Sequence, residues 1–221
     1  MTAIEALLKH ISNRNSSGIL DVMFERVPPS PPNVRDGFFR EDELWDYKED
    51  VPPTGRGNEA QWANIAADVL AFHNTRGGVL VFGVRNRDFQ FVGTTHPVDT
   101  KLFNDKIRRY VGDRFWVSFS REYIQHDQRY LGLAIVPPKS HAALRALADS
   151  PTVGGRQSLK VGDLCIRRGD ETKILRGSDA LNYLAEHKVS ESASVYAVNG
   201  LTSASYDRII ANSLIAKSFV V

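Results

Sequence analysis

The sequence contains a single cysteine, Cys165, and lacks any long run of apolar residues. One cysteine cannot form an intramolecular disulfide bond, which excludes the small secreted proteins that disulfide bonds hold together. A membrane-spanning helix needs about 20 mainly apolar residues in succession, and the sequence has no such stretch. The first residues also lack the charged and apolar regions of a secretory signal peptide. We therefore expect a cytoplasmic protein that has no membrane partner.

The sequence also lacks the glycine-rich motifs that bind nucleotide phosphates. It has no P-loop pattern, G-x-x-x-x-G-K followed by S or T, and the pair Gly77-Gly78 precedes an apolar segment instead of opening a helix. Glycine in this position ends a helix and allows the backbone to approach another chain segment or a phosphate closely. Binding of ATP or a dinucleotide by this segment is not expected.

Charge is distributed unevenly along the chain, although the net charge is only +2. Residues 1–55 contain 6 lysines and arginines against 10 aspartates and glutamates, whereas residues 56–176 contain 19 against 12. A basic body of about +7 is the pattern expected of a phosphate-binding surface. The acidic cluster at 41–50 suits a metal ion or a repulsive rim. The alternative is an unevenly charged surface that binds nothing.

Apolar periodicity predicts both helices and strands. Helices are predicted where apolar residues recur at a spacing of three and four, over residues 3–12, 58–74, 100–111 and 179–187. Strands are predicted where apolar residues alternate or follow one another, over residues 44–48, 79–84, 114–123, 130–136 and 163–168. Residue propensity predicts one more short helix over residues 141–148.

A chain of 221 residues suits one domain of ordinary size with terminal extensions. The stretch from Pro28 to Pro32 has four prolines in five residues, which prevents a regular hydrogen-bonded ladder and indicates a stiff linker. We expect an N-terminal helix and proline-rich linker over residues 1–37, the domain itself over 38–188, and a C-terminal tail or connector over 189–221.

The segment from Trp45 to Lys48 alternates aromatic and charged residues. In a strand this period of two places Trp45 and Tyr47 on one face and Asp46 and Lys48 on the other. We expect the aromatic face to pack in the core and the charged face to carry the chemistry. The alternative is an ion pair on a solvated edge strand. His73, on the apolar stripe of the second predicted helix, is interpreted as a core histidine in preference to a ligand.

Motifs in three parts of the chain resemble one known family. Glu41 precedes the run Asp46-Tyr47-Lys48; residues 71–78 read Ala-Phe-His-Asn-Thr-Arg-Gly-Gly before a strand that ends in Gly83-Val84; and residues 167–172 read Arg-Arg-Gly-Asp-Glu-Thr. Together, over residues 38–185, they resemble the Schlafen AlbA_2 domain. The resemblance implies an α+β fold, with a mixed, mainly antiparallel β-sheet flanked by α-helices. It also implies nucleic-acid binding within a regulatory or antiviral defence protein.

The nuclease members of this family imply a more specific alternative, a metal-dependent endoribonuclease that acts on tRNA-like RNA. Their three carboxylates bind Mg²⁺ or Mn²⁺, and Glu41 and Asp46 occupy the first two places here. Lys48 would contact the scissile phosphate. The third place falls on Arg85 or Asn86, neither of which is a carboxylate.

We rank first the binding of RNA or DNA through a basic surface, with RNA favoured because the family's nucleases act on structured RNA. Lysine and arginine contacts to phosphates carry little sequence information and weaken with salt. This hypothesis requires no cofactor, whereas the nuclease requires Mg²⁺ or Mn²⁺. The candidate nucleic-acid-binding residues are Arg76, Arg85, Arg87, Lys106, Arg108, Arg109, Arg167, Arg168, Lys173 and Arg176.

A third hypothesis is an interaction or oligomerisation module whose basic face is incidental. The N-terminal helix and the C-terminal tail, which is rich in small residues, would then mediate assembly into a homo-oligomer.

Overall fold

The structure is a computed structural model, and it describes residues 1–26, 31–123, 129–139 and 143–186. The helices within these ranges are α1 (Ala3–Ser12), α2 (Ser16–Met23), α3 (Glu59–Asn74), α4 (Thr100–Val111) and α5 (Gly177–Glu186). The strands are β1 (Phe24–Glu25), β2 (Asn33–Val34), β3 (Trp45–Lys48), β4 (Gly78–Phe82), β5 (Ser118–Tyr123), β6 (Tyr130–Val136), β7 (Leu164–Arg168) and β8 (Glu171–Leu175). The predicted C-terminal tail and most of the proline-rich segment lie outside the described residues.

Four strands form the central sheet, in the order β3-β4-β6-β5. β3 runs parallel to β4, with Trp45 opposite Val79 and Lys48 opposite Phe82. The other two pairs are antiparallel. Because parallel neighbours need a crossover connection, α3 runs between β3 and β4 and is held against the sheet. This mixed, mainly antiparallel sheet flanked by helices confirms the predicted α+β fold.

Helices cover both faces of the central sheet. Side chains alternate along β4, so Val79 and Val81 face a core formed with α1 and α2, while Leu80 and Phe82 face a core formed with α3 and α4. The predicted N-terminal helix thus packs on the sheet as α1. The domain boundaries at residues 37 and 188 stay predictions.

A hairpin of β7 and β8 lies against α3. Arg168 pairs with Glu171, so the turn consists of Gly169 and Asp170, and glycine accommodates the φ of 63° at the first position. The amide of Asn74, in the last turn of α3, donates to the carbonyl of Cys165 in β7 at 2.9 Å. This bond fixes the hairpin on the face of α3 that the candidate site uses.

Several features differ from the sequence prediction, among them the short antiparallel pair of β1 and β2, which was not predicted. The predicted helix over 141–148 is wrong for residues 143–148, which form no helix. Their backbone bonds to another segment of the chain instead of forming helical bonds: the N–H of Ala146 donates to the carbonyl of Asp163 at 2.9 Å. Helix α2 and strand β8 are also absent from the prediction. Among the described residues, no helix has the length and apolar character needed to cross a bilayer.

Candidate functional site

Strand β3 lies at the edge of the central sheet, and the segment before it folds back along its free side. The Glu41 carboxylate accepts the backbone N–H of Tyr47 at 3.1 Å. The N–H of Asp42 donates to the carbonyl of Trp45 at 3.1 Å. These two bonds provide hydrogen-bond partners for backbone groups on the free side of β3. They also bring the carboxyl group of Glu41 against that of Asp46.

The alternation in β3 sorts the aromatic and charged residues as predicted. Trp45 and Tyr47 are each 2% exposed and pack in the core with α1 and α2. The Tyr47 hydroxyl donates to the carbonyl of Phe38 at 3.0 Å. Asp46 and Lys48 project to the opposite face, toward α3. This second face is not a solvated edge, because Asp46 is also only 2% exposed.

Lys48 is held between two carboxylates. Its Nζ lies 2.9 Å from Oδ2 of Asp46 and 2.9 Å from Oδ2 of Asp68, a residue of α3. The other oxygen of Asp68 accepts the hydroxyl of Thr172 in β8 at 2.7 Å. Burial opposes the charge of Lys48, but Asp68 and Asp46 outweigh this effect and raise the pKa of the lysine. Lys48 therefore stays a cation at neutral pH.

Arg167 lies in the interior beside this cluster, with 4% of its surface exposed. Its guanidinium donates to the carbonyl of Asp42 at 2.9 Å and lies 3.4 Å from both Oδ2 of Asp46 and the hydroxyl of Thr172. It also stacks over the ring of Phe72 in α3, 4.8 Å from the centroid. The charge of this predicted nucleic-acid contact is thus used within the protein, where it links β3, α3 and β7.

The carboxyl group of Asp46 has an unusual environment. Burial and the adjacent Glu41 raise its pKa to about 6, against the lowering effect of Lys48. Its Oδ1 is buried and has no hydrogen-bond partner among the described residues, and the same holds for Nε of Arg167. Burial likewise raises the pKa of Asp68. A proton or a cation between Asp46 and Glu41 would relieve their repulsion.

A depression of ≈ 260 Å³ opens at the outer end of this cluster. Its lining residues come from the segment before β3 and from the β7–β8 turn, and they are Arg40, Glu41, Asp42, Gly169 and Asp170. Glu41 is therefore reached from solvent, whereas Asp46 and Arg167 lie deeper. With three carboxylates and one guanidinium, the rim is acidic.

Glu41 and Asp46 supply the hard oxygen ligands that Mg²⁺ and Mn²⁺ prefer. The third acidic position of the family's nucleases falls on Arg85 or Asn86, neither of which is a carboxylate. The guanidinium of Arg85 instead pairs with Asp88 at 3.0 Å and with Glu49 at 3.7 Å. Within the described part of the chain, no group of three or more acidic, histidine or cysteine side chains is placed to hold a metal ion. The unpartnered Oδ1 of Asp46 beside Glu41 does fit a cation held by two carboxylates, which is common for Mg²⁺ bound with substrate phosphates.

The predicted nucleic-acid-binding residues are spread over several surfaces. Some are exposed and have no ion-pair partner among the residues described: Arg76, Arg109 and Arg168. Others are paired with nearby carboxylates: Arg85, Arg87, Arg108, Lys173 and Arg176. The ammonium of Lys106 donates to the carbonyl of Thr54. The first set can bind a ligand without displacing a carboxylate that pairs with it in the described residues.

Asp68 is the residue of this site that sequence reasoning missed. It lies in a stretch of α3 whose neighbours, Ala67 and Val69, are both buried. Burying a charged side chain without a partner is costly, so an aspartate among buried apolar residues indicates a partner nearby. This signal in the sequence could have identified Asp68. The partners themselves, Lys48 and Thr172, come from distant parts of the chain.

Comparison with known proteins gives a family and no curated relative. The family described as "Schlafen, AlbA_2" matches residues 41–176. The crystal structure of the DIP2311 protein from Corynebacterium diphtheriae is similar, with a TM-score of 0.49 and 12% identity, covering 80% of this chain and 32% of that one. No curated protein matches. Because the family match spans more than half of the sequence, from Glu41 through the β7–β8 hairpin, the chain belongs to the Schlafen AlbA_2 family.

Proposed function

We propose that this chain binds RNA or DNA through a basic surface, without sequence preference. Membership of the Schlafen AlbA_2 family points to a nucleic-acid-binding role. The observation that supports this use of the surface is the set of exposed arginines that have no ion pair in the described ranges, Arg76, Arg109 and Arg168. The planar guanidinium matches the geometry of phosphate oxygens, and an arginine without an acidic partner needs no carboxylate to be displaced first.

Two of these arginines lie near each other at the end of α3. The hydroxyl of Thr75 accepts the backbone N–H of Arg167 at 3.0 Å, and Arg76 and Arg168 directly follow these two residues. Each is one Cα step of about 3.8 Å from the bonded pair. Both side chains are exposed. This corner of the molecule can therefore contact neighbouring phosphates of one strand.

The test is fluorescence anisotropy of labelled RNA and DNA, as single strands and duplexes, in EDTA over a range of salt concentrations. Each phosphate contact contributes about 0.7 to 0.9 to the slope of log affinity against log salt. We therefore expect the slope to fall by about 2 to 3 in a triple variant. The substitutions are Arg76→Gln, Arg109→Gln and Arg168→Gln.

The matched control removes the same charge from the acidic first part of the chain. Its substitutions are Lys9→Gln, Arg14→Gln and Arg26→Gln, all at exposed positions. We expect this variant to keep most of its affinity and the wild-type salt slope. Equal losses in the two triple variants would show that net charge alone, and not this surface, determines binding.

A second candidate function is metal-dependent cleavage of RNA, which one observation favours. The carboxyl group of Asp46 lies against Glu41 and keeps one buried oxygen without a hydrogen-bond partner. Glu41 and Asp46 would hold Mg²⁺ or Mn²⁺, and the cation would supply charge neutralisation at the phosphate and activation of water. Lys48, fixed by Asp46 and Asp68, is 30% exposed and would hold the same phosphate.

Incubation of labelled tRNA with Mn²⁺ or with EDTA distinguishes the two candidates. Cleavage that needs the metal and is absent in a Glu41→Gln/Asp46→Asn variant would establish the nuclease. Intact RNA under both conditions, together with salt-sensitive binding, would exclude the nuclease and retain the binding function.

A further inference from the structure

Trp116 is an exposed aromatic residue that the candidate site does not use. It is 45% exposed, whereas Trp45 and Trp62 are each 2% exposed. The following residue, Val117, is fully buried, so the indole occupies the outward position just before β5. A single exposed apolar side chain is common on protein surfaces, so its neighbourhood decides whether it has a role.

The backbone next to Trp116 is bonded to α4. Asn104 bonds both the N–H and the carbonyl of Val117, at 2.9 and 2.8 Å. The hydroxyl of Thr100 likewise donates to the carbonyl of Phe119. The helix and the strand therefore run in opposite directions side by side, and the helical turn after Asn104 lies beside Trp116.

This turn and its surroundings carry more positive than negative charge. The cationic side chains are Lys101, Arg108, Arg109 and Arg114. The acidic side chains are Asp105 and Asp113, which pair with Lys101 and Arg108. Exposed ion pairs of this kind contribute little free energy, so a phosphate can replace a carboxylate as the partner of the arginine.

An exposed aromatic ring beside cationic side chains has the two features by which proteins bind single-stranded nucleic acid. Bases stack on the ring, and phosphates bind the cations. In a duplex the bases stack on one another and are not free to do this. We propose that Trp116 stacks on an unpaired base of a single strand of RNA or DNA, whose phosphates lie along Arg108, Arg109 and Arg114. This inference rests on the proposed nucleic-acid-binding function and names the form of nucleic acid that this face binds.

Intrinsic fluorescence provides a specific readout, since Trp116 is the exposed one of the three tryptophans. Oligo(U) and oligo(dT) should quench the wild-type emission, and a duplex of equal length should leave it nearly unchanged. The Trp116→Phe variant should lose most of this quenching. Binding of a labelled single strand should weaken about 5- to 150-fold in Trp116→Ala, as expected for one stacked base. The salt slope should stay the same, because no phosphate contact is removed.

Leu181→Ala, which truncates a side chain on α5 that is 55% exposed, is the control and should bind like the wild type. Binding of single strands without quenching, and with equal affinity in Trp116→Ala, would overturn the stacking inference and leave the proposed function intact. Tighter binding to the duplex would do the same. Failure of the wild type to bind any nucleic acid would overturn both. Self-association that Trp116→Ala abolishes, without an effect on nucleic-acid binding, would assign the ring to a protein interface and contradict the inference.

Discussion

Replacing Lys48 with methionine removes the cation between the carboxylates of Asp46 and Asp68. Nζ lies 2.9 Å from each, and the two acidic side chains are only 3% and 12% exposed. Removal of one member of a buried ion pair costs about 3 to 5 kcal/mol, because the remaining charge is left without a partner. Since the lysine is 30% exposed, we expect a loss near the lower limit, about 3 kcal/mol at pH 8.

The loss of stability caused by Lys48→Met should depend on pH. The pKa of Asp46 is already about 6 in the wild type, and the lysine lowers the pKa of both Asp46 and Asp68. Without the lysine both values rise further. A carboxyl group whose pKa is raised by folding binds more protons in the native state, so stability falls as pH rises from the unfolded pKa to the folded one. The variant should therefore lose little stability at pH 5 and the full amount at pH 8.

Urea unfolding of the wild type and Lys48→Met at pH 5 and pH 8 measures this difference. Lys101→Met is the control, because it removes an ammonium that is 82% exposed and paired with Asp105 on the surface. Such a pair contributes about 0 to 1 kcal/mol, and the control should show no pH dependence. A loss of less than about 1 kcal/mol at pH 8, comparable to an exposed pair, would refute the argument. So would an equal loss at both pH values.

Further predictions concern packing and thiol chemistry. Gly78→Ala should lower the melting temperature and cost about 1 to 3 kcal/mol of stability, because the new Cβ would lie 2.1 Å from the ring of Phe72. The control Gly55→Ala, where the space around the residue is open, should melt like the wild type. Similar melting of both variants would contradict the packing. Asn74→Ala should cost about 3 kcal/mol in urea unfolding, since the amide bonds three backbone groups; a neutral effect would contradict this. Burial raises the pKa of Cys165 to about 12, so a thiol reagent at pH 8 should modify it only after unfolding, and rapid reaction in the native protein would contradict its burial.

Local patterns in the sequence were sufficient for the central part of the fold. The alternation from Trp45 to Lys48 predicted which side chains enter the core, because strand geometry alone decides it. The apolar stripe of α3 and the glycines after it predicted a helix followed by a buried strand. In both cases the decisive contacts lie within one element or between neighbouring ones.

The contacts that organise the site could not be predicted in the same way. Arg167 meets Asp46 across 121 positions of sequence, and no local pattern shows that its guanidinium is buried instead of exposed. The sequence does show a charge, Asp68, on a buried helix face, but it does not show which residues pair with it. The sequence also contains a signal for strand β8, since Gly169-Asp170 is a typical two-residue hairpin turn. Helix α2 is preceded by its N-cap residue Asn15, whose side chain accepts the N–H of Gly18 at 3.0 Å. The end of the preceding helix lies so close that this cap was not recognised in the sequence.

The measurement that tests the central proposal most directly is a salt titration of RNA and DNA binding by the intact chain in EDTA. We predict binding that persists without metal and weakens linearly in log affinity against log salt, with a smaller slope when Arg76, Arg109 and Arg168 are replaced by glutamine. Absence of binding at low salt, or binding that neither salt nor these substitutions alter, would contradict it.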